Sequence, residues 1–112
     1  SPYCWLDVNN RRAFQRATEF LLDLGHTRIA LVNGLEFMDF AIRRRTGYLD
    51  ALSARGIAAD PALMTSDEMT EIAGYRAVQA MLALPRPPTA ILASSMISGM
   101  GARRAVEGAG LT

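Results

Sequence analysis

Cysteine and histidine are nearly absent from this chain, which has one of each, Cys4 and His26, among 112 residues. A lone thiol closes no intrachain disulfide, so a reducing, cytoplasmic setting is the expectation. A lone imidazole with no cysteine or second histidine at ligand spacing excludes the usual zinc sites. Net charge is scarce too. Twelve basic residues face eleven acidic ones, and a balance of +1 lacks the basic surplus of a dedicated nucleic-acid-binding domain. The most apolar stretch, residues 90–102, is short and interrupted by Ser and Gly, so no segment is expected to span a membrane. No basic-then-apolar leader opens the chain. It starts at Ser1-Pro2 without a methionine and reads as a piece of something longer.

Enzyme signatures are missing as well. There is no Gly-x-Ser-x-Gly and no phosphate loop ending in Gly-Lys-Ser/Thr. Gly99-Met-Gly101-Ala-Arg-Arg104 begins like a dinucleotide fingerprint, but Arg104 stands at the third glycine position. These glycines also lie five residues past the strand, so they read as helix packing. No acid, base and nucleophile can be paired, and neither an enzyme, a cofactor nor a metal site is expected.

What is present is a regular alternation. Half of the residues are apolar, ordinary for one globular domain. Residues 28–33 and 89–94 are β-rich apolar runs, with a weaker one at 62–65 and a strand end at residues 3–6. Runs without polar alternation suit parallel strands covered on both faces. Between them Ala13, Ala17, Phe20, Leu21 and Leu24 recur at helical spacing, with Asn10 placed as cap and Gly25 as stop. A second helix begins near Met38 and closes at Arg55-Gly56. A third carries Tyr75, Val78 and Leu82 up to Pro85, and a fourth runs from Ile97 to Glu107, closed by Gly110. The predicted order β-α-β-α-β-α-β-α implies right-handed crossovers and an α/β fold, a parallel sheet with helices on both faces.

Individual residues read more plainly. His26, just past a helix end, is placed to bond the last carbonyls of that helix. Met64, Met69, Met81, Met96 and Met100 read as core filler. Arg43, Arg44 and Arg45 are turned by about 100° from one to the next, so they cannot share one phosphate-binding face. They read as solvated arginines with one turned inward.

The ordered set Leu24-Gly-His26-x-Arg28-Ile-Ala30 into Gly34, Arg44-x-x-Gly47-Tyr48-x-x-Ala51-Leu52, Gly56-Ile57, Asp60-Pro61, Gly74-Tyr75 and Pro87-Pro-Thr-Ala-Ile91 resembles the LacI/GalR family of bacterial transcription regulators. The likeness covers residues 7–111. It implies one lobe of a periplasmic-binding-protein-like type I fold, truncated, with residues 1–112 as part of the C-terminal lobe of an effector-binding domain. The first lobe, the final strand of this lobe and the DNA-binding helix-turn-helix would lie outside the chain. A small effector, usually a sugar, would sit between lobes beyond the carboxyl ends of the strands. The resemblance places Arg44 at the family's effector-contacting arginine, with Asp39 and Phe40 just ahead of it. Met69 stands where the family often has a stacking aromatic, and Ser95-Met96 where it has Asn-Asp; Asn9-Asn10 replaces Asp-Asn. The effector-binding set implied is therefore Asp39, Phe40, Arg44, Met69 and Ser95. Operator DNA, read through the helix-turn-helix of a cytoplasmic homodimer, would be the parent's other partner. A secreted, transport-type sugar-binding protein of the same architecture is the alternative.

Overall fold

The computed structural model describes residues 3–5, 11–35, 39–68 and 70–110; for residues 3–5, 39, 40 and 96 it describes the backbone only. Strands β1 (Tyr3–Trp5), β2 (Ile29–Asn33), β3 (Met64–Ser66) and β4 (Ala90–Ala93) alternate with helices α1 (Arg11–Asp23), α2 (Asp39–Ala54), α3 (Glu71–Leu82) and α4 (Met96–Gly108). All pairings are parallel, in the spatial order β1-β4-β2-β3. The expected α/β class and element order are both observed.

The two apolar runs became the central strands. Every residue of β2 and of β4 is buried, which is what a strand covered on both faces requires. Their side chains alternate between two cores. Ile29, Leu31, Ala90 and Leu92 pack with Phe14 and Leu21 of α1 and Tyr48 and Leu52 of α2. Ala30, Val32, Ile91 and Ala93 pack with Val78 and Met81 of α3 and Ala102, Ala105 and Val106 of α4. The helices thus cover the sheet in pairs, α1 and α2 on one side, α3 and α4 on the other.

Glycines set how closely each pair approaches. A Cβ on Gly101 would lie 1.9 Å from the Glu71 carbonyl oxygen, and one on Gly74 would lie 2.2 Å from that of Ser98. Gly47 meets the Arg11 carbonyl of α1 in the same way, at 2.0 Å. The reading of Gly101 as a packing residue is borne out.

Three expectations need adjustment. The third strand starts at Met64, because Asp60-Pro61 opens a 3₁₀ turn at Pro61–Leu63, capped by the Asp60 carboxylate accepting from the Ala62 N–H. His26 does not use its imidazole on the last carbonyls of α1. Its backbone N–H donates to Leu21 O at 3.2 Å, after Gly25 has reversed the chain at φ 100°. The ring instead bonds Thr89 Oγ1 at 2.8 Å, tying the entrances of β2 and β4 together. Met100 is exposed, not core, whereas Met81 is buried. The proposed cap Asn10 lies outside the described residues. No helix among the described residues is long and apolar enough to cross a membrane.

Candidate functional site at the carboxyl end of the sheet

β2 and β4 are hydrogen-bonded neighbours, yet the helices that follow them leave to opposite faces, α2 on one side and α4 on the other. Diverging connections open a crevice outside the carboxyl ends of two adjacent strands, the usual ligand position in an open parallel sheet. Polar side chains gather there. Six polar or charged side chains are buried among the described residues: Thr18, Asn33, Arg44, Ser94, Ser95 and Ser98. Thr18 bonds back to Phe14 O within its own helix. The other five belong to the exits of β2 and β4 and the first two turns of the helices that follow.

Arg44 is the charged member. Ala41, Arg44, Tyr48, Ala51 and Leu52 form the buried stripe of α2, and Arg44 is only 2% exposed. Its guanidinium lies 6.0 Å from the ring centroid of Phe14 on the first turn of α1, within cation–π range. Arg43 is exposed and Arg45 half-buried, so the three neighbours diverge as their helical spacing requires and one of them turns inward.

Ser95 is the N-cap of α4. Its hydroxyl accepts from the Ser98 N–H at 3.1 Å and lies 2.9 Å from Ser98 Oγ. Capping by Ser satisfies a helix-end donor that would otherwise be orphaned. Ser94, wholly buried, has a hydroxyl with no hydrogen-bond partner among the described residues. Alternation along β4 puts it on the α1/α2 side with Leu92, beside the Asn33 position of β2. Thr70 caps α3 through the Ala73 N–H, so α3 also opens at this end of the sheet.

Of the five site residues expected, the structure therefore places Arg44 and Ser95 on the two helices flanking the crevice. Asp39 and Phe40 begin α2, and their side chains are not among those described; Met69 lies outside the described residues. Asn33 and Ser94 stand at the strand ends where the sequence puts a ligand but were not nominated as contacts, and Ser98 was not anticipated. Asn33 ahead of Gly34 at a strand end was the available signal, since a polar residue closing an apolar run asks where its amide goes.

The opposite end of the sheet holds a different set. Tyr48 OH donates to Ile29 O at 2.5 Å, and burial pushes its pKa far above the ordinary phenol value. Arg28 pairs with Asp60 at 2.8 Å and also reaches the Arg86 carbonyl. Asp60 is held below the usual carboxylate range, first by the Arg28 hydrogen bond and then by the Ala62 N–H. A cavity of about 200 Å³ lies there, lined by Thr27, Arg28, Tyr48, Asp60 and Arg86 among others. Tyr48, Arg28 and Asp60 are held by the hydrogen bonds just named, so this end reads as a structural tie between loops.

Residues 2–112 match the family of periplasmic binding proteins and the sugar-binding domain of the LacI family. The chain belongs to this family. The likeness to LacI-type regulators read from the motifs is thereby borne out. The HTH-type transcriptional regulator AglR of Rhizobium meliloti is 48% identical over 109 residues, 97% of this chain and 31% of the relative. The HTH-type transcriptional regulator RafR of Escherichia coli is 41% identical over 106 residues, 95% of this chain and 31% of the relative. A solved complex of the transcriptional regulator CelR with cellobiose superposes with a TM-score of 0.87 at 30% identity, covering 99% of this chain and 33% of that one. This LacI-family chain thus spans about a third of the length of the curated relatives it matches.

Proposed function

We propose that this chain is part of the C-terminal lobe of the effector-binding domain of a LacI-type transcription regulator. The effector is a small molecule, a carbohydrate by preference, gripped in a cleft between this lobe and another. The observation that carries the reading is the concentration of buried polar side chains at the β2/β4 crevice, with Arg44 among them. A guanidinium supplies five donors in a fixed fork, which suits paired hydroxyls or a carboxylate. Asp39 and Phe40 at the start of α2, Met69 before α3 and Ser95 at the start of α4 complete the proposed contact set. The cellobiose complex of CelR supports a sugar as the ligand class.

Regulation follows as a population shift. An effector bridging two lobes favours one closure angle and so changes how a homodimer presents its DNA-binding segments to operator DNA. For that it must bind the two arrangements unequally, and coupling of roughly 1–3 kcal/mol is typical. The parent works in the cytoplasm and is not an enzyme on this reading; the curated relatives named above are regulators. The family description also covers periplasmic binding proteins, which keeps a secreted sugar-transport protein as the second reading. A helix-turn-helix at the parent's N-terminus decides for the regulator, and a signal peptide decides for transport.

The test is a thermal-shift screen of mono- and disaccharides, cellobiose included, against the intact sensor. Ligand binding to the native state raises the melting temperature. A saturable rise with a sugar, accompanied by altered operator affinity, is the expected result. Operator binding unaffected by any sugar that raises the melting temperature would contradict the regulatory reading.

A further inference from the structure

Asn33 closes β2, and both ends of its side-chain amide are used. Its Nδ2 donates to Ala41 O at 2.8 Å, and its Oδ1 accepts from the Gly34 N–H at 2.9 Å. The side chain is 3% exposed. One amide thus holds the first residue after the strand and, eight positions beyond Asn33 itself, the first turn of α2.

The surrounding backbone makes the same point a junction. Asn33 O accepts from the Asp67 N–H at 3.3 Å, and Gly34 O accepts from Ser66 Oγ at 3.0 Å. Val32 O accepts from the Ser94 N–H at 2.9 Å. The exits of β2, β3 and β4 are therefore tied together within two residues of Asn33. Ala41 in turn precedes Arg44 by one helical turn on the same buried face. Fixing the Ala41 carbonyl fixes the start and rotation of α2, and with it where the Arg44 guanidinium stands against the Phe14 ring.

We propose that Asn33 is a positioning residue of the crevice, a latch that acts through the Ala41 carbonyl to hold Arg44 in place before any ligand arrives. The inference rests on Arg44 facing the effector, but the latch can be tested without an effector. A preorganised side chain spares ligand binding the cost of ordering it. A buried amide is suited to this because losing its partner is expensive while keeping it adds no charge.

The experiment compares the intact sensor with Asn33→Asp and Asn33→Ala by nitrogen-15 NMR, reading hydrogen exchange of the Arg44 Nε–H and of backbone amides. Asn33→Asp keeps the acceptor for the Gly34 N–H and removes the donor to Ala41; Asn33→Ala removes both. The expected result is faster exchange at Arg44 in both variants, on the order of tenfold. Gly34 should lose protection in Asn33→Ala only, and the Leu31 and Leu92 amides should stay protected as in the parent. Unchanged exchange at Arg44 overturns the latch. So does an equal rise at Leu31 and Leu92, which would make Asn33 merely stabilising. A separate titration of Arg44→Ala with cellobiose and the other screened sugars tests the contact itself. A working latch beside an Arg44 without effect on binding would sink the site reading and leave the latch standing.

Discussion

Arg43, Arg44 and Arg45 share one chemistry and occupy an exposed, a buried and a half-buried environment in turn. That divergence was legible in the sequence because helical rotation allows no other outcome for three consecutive residues. What rotation could not say is which one turns inward; the resemblance to the LacI/GalR family pointed to Arg44, and the structure buries it on the same face as Gly47 and Tyr48. The partner of the Asn33 amide was not legible, because the Ala41 carbonyl, eight residues away, depends on how a loop returns to the sheet. Asp60 shows the same limit, its partner Arg28 being 32 residues away. This pair makes an acid-sensitive contribution. The Asp60 pKa is lowered in the folded chain, so the stabilisation is present above the unfolded carboxyl range near about pH 4 and is lost as pH falls through the lower folded value. Urea midpoints of the intact sensor and of Asp60→Asn should differ at pH 7 and converge toward pH 3. A gap that stays constant over that range would assign the loss to packing instead. At the same end, Tyr48→Phe removes a buried donor to Ile29 O and should cost about 1 kcal/mol, measured by the same denaturation.

Each element was readable where period and stop signals agreed. β2 and β4 are apolar without interruption, and α1 and α2 end at Gly25 and Gly56, both at positive φ. β3 was the least legible, being three residues long and preceded by a 3₁₀ turn that only the Asp60 cap explains. The packing of α3 against α4 depends on backbone contact at Gly74 and Gly101, and this yields a sharp expectation. Gly101→Ala would force a methyl to within 1.9 Å of the Glu71 carbonyl and should destabilise the sensor by about 2–3 kcal/mol. Gly108, at the end of the same helix, has no neighbour within 4 Å of a would-be Cβ. Gly108→Ala should therefore be neutral or stabilising by at most about 1 kcal/mol. Equal midpoints for the two variants in a urea titration would show that α3 and α4 can separate without penalty.

At the scale of the whole molecule, the proposed function makes this chain one wall of the crevice. β1 and β3 are the edges of the sheet, and β2 and β4, which carry the polar junction, are its centre. A cleft gripped from both sides loses most of its contacts when one side is removed, so this chain alone should bind a sugar far more weakly than the intact sensor does. Calorimetry giving equal affinities would refute the bridging mechanism. The chain alone should also show no saturable operator binding at physiological salt, because its near-neutral charge offers little counterion release. A sequence-specific gel shift by the isolated chain would contradict that.

Calorimetric titration of the intact sensor with its best sugar from the screen is the most direct test, run on Arg43→Ala, Arg44→Ala, Arg44→Lys and Arg45→Ala. Loss of a hydrogen-bonding charge facing the ligand should weaken binding by about tenfold or more for Arg44→Ala. Arg44→Lys should fall between it and the parent, while the variants at 43 and 45 stay within about twofold, as expected of residues that do not touch the ligand. Equal small losses at all three positions, in variants whose unliganded melting temperatures match the parent's, would contradict the account.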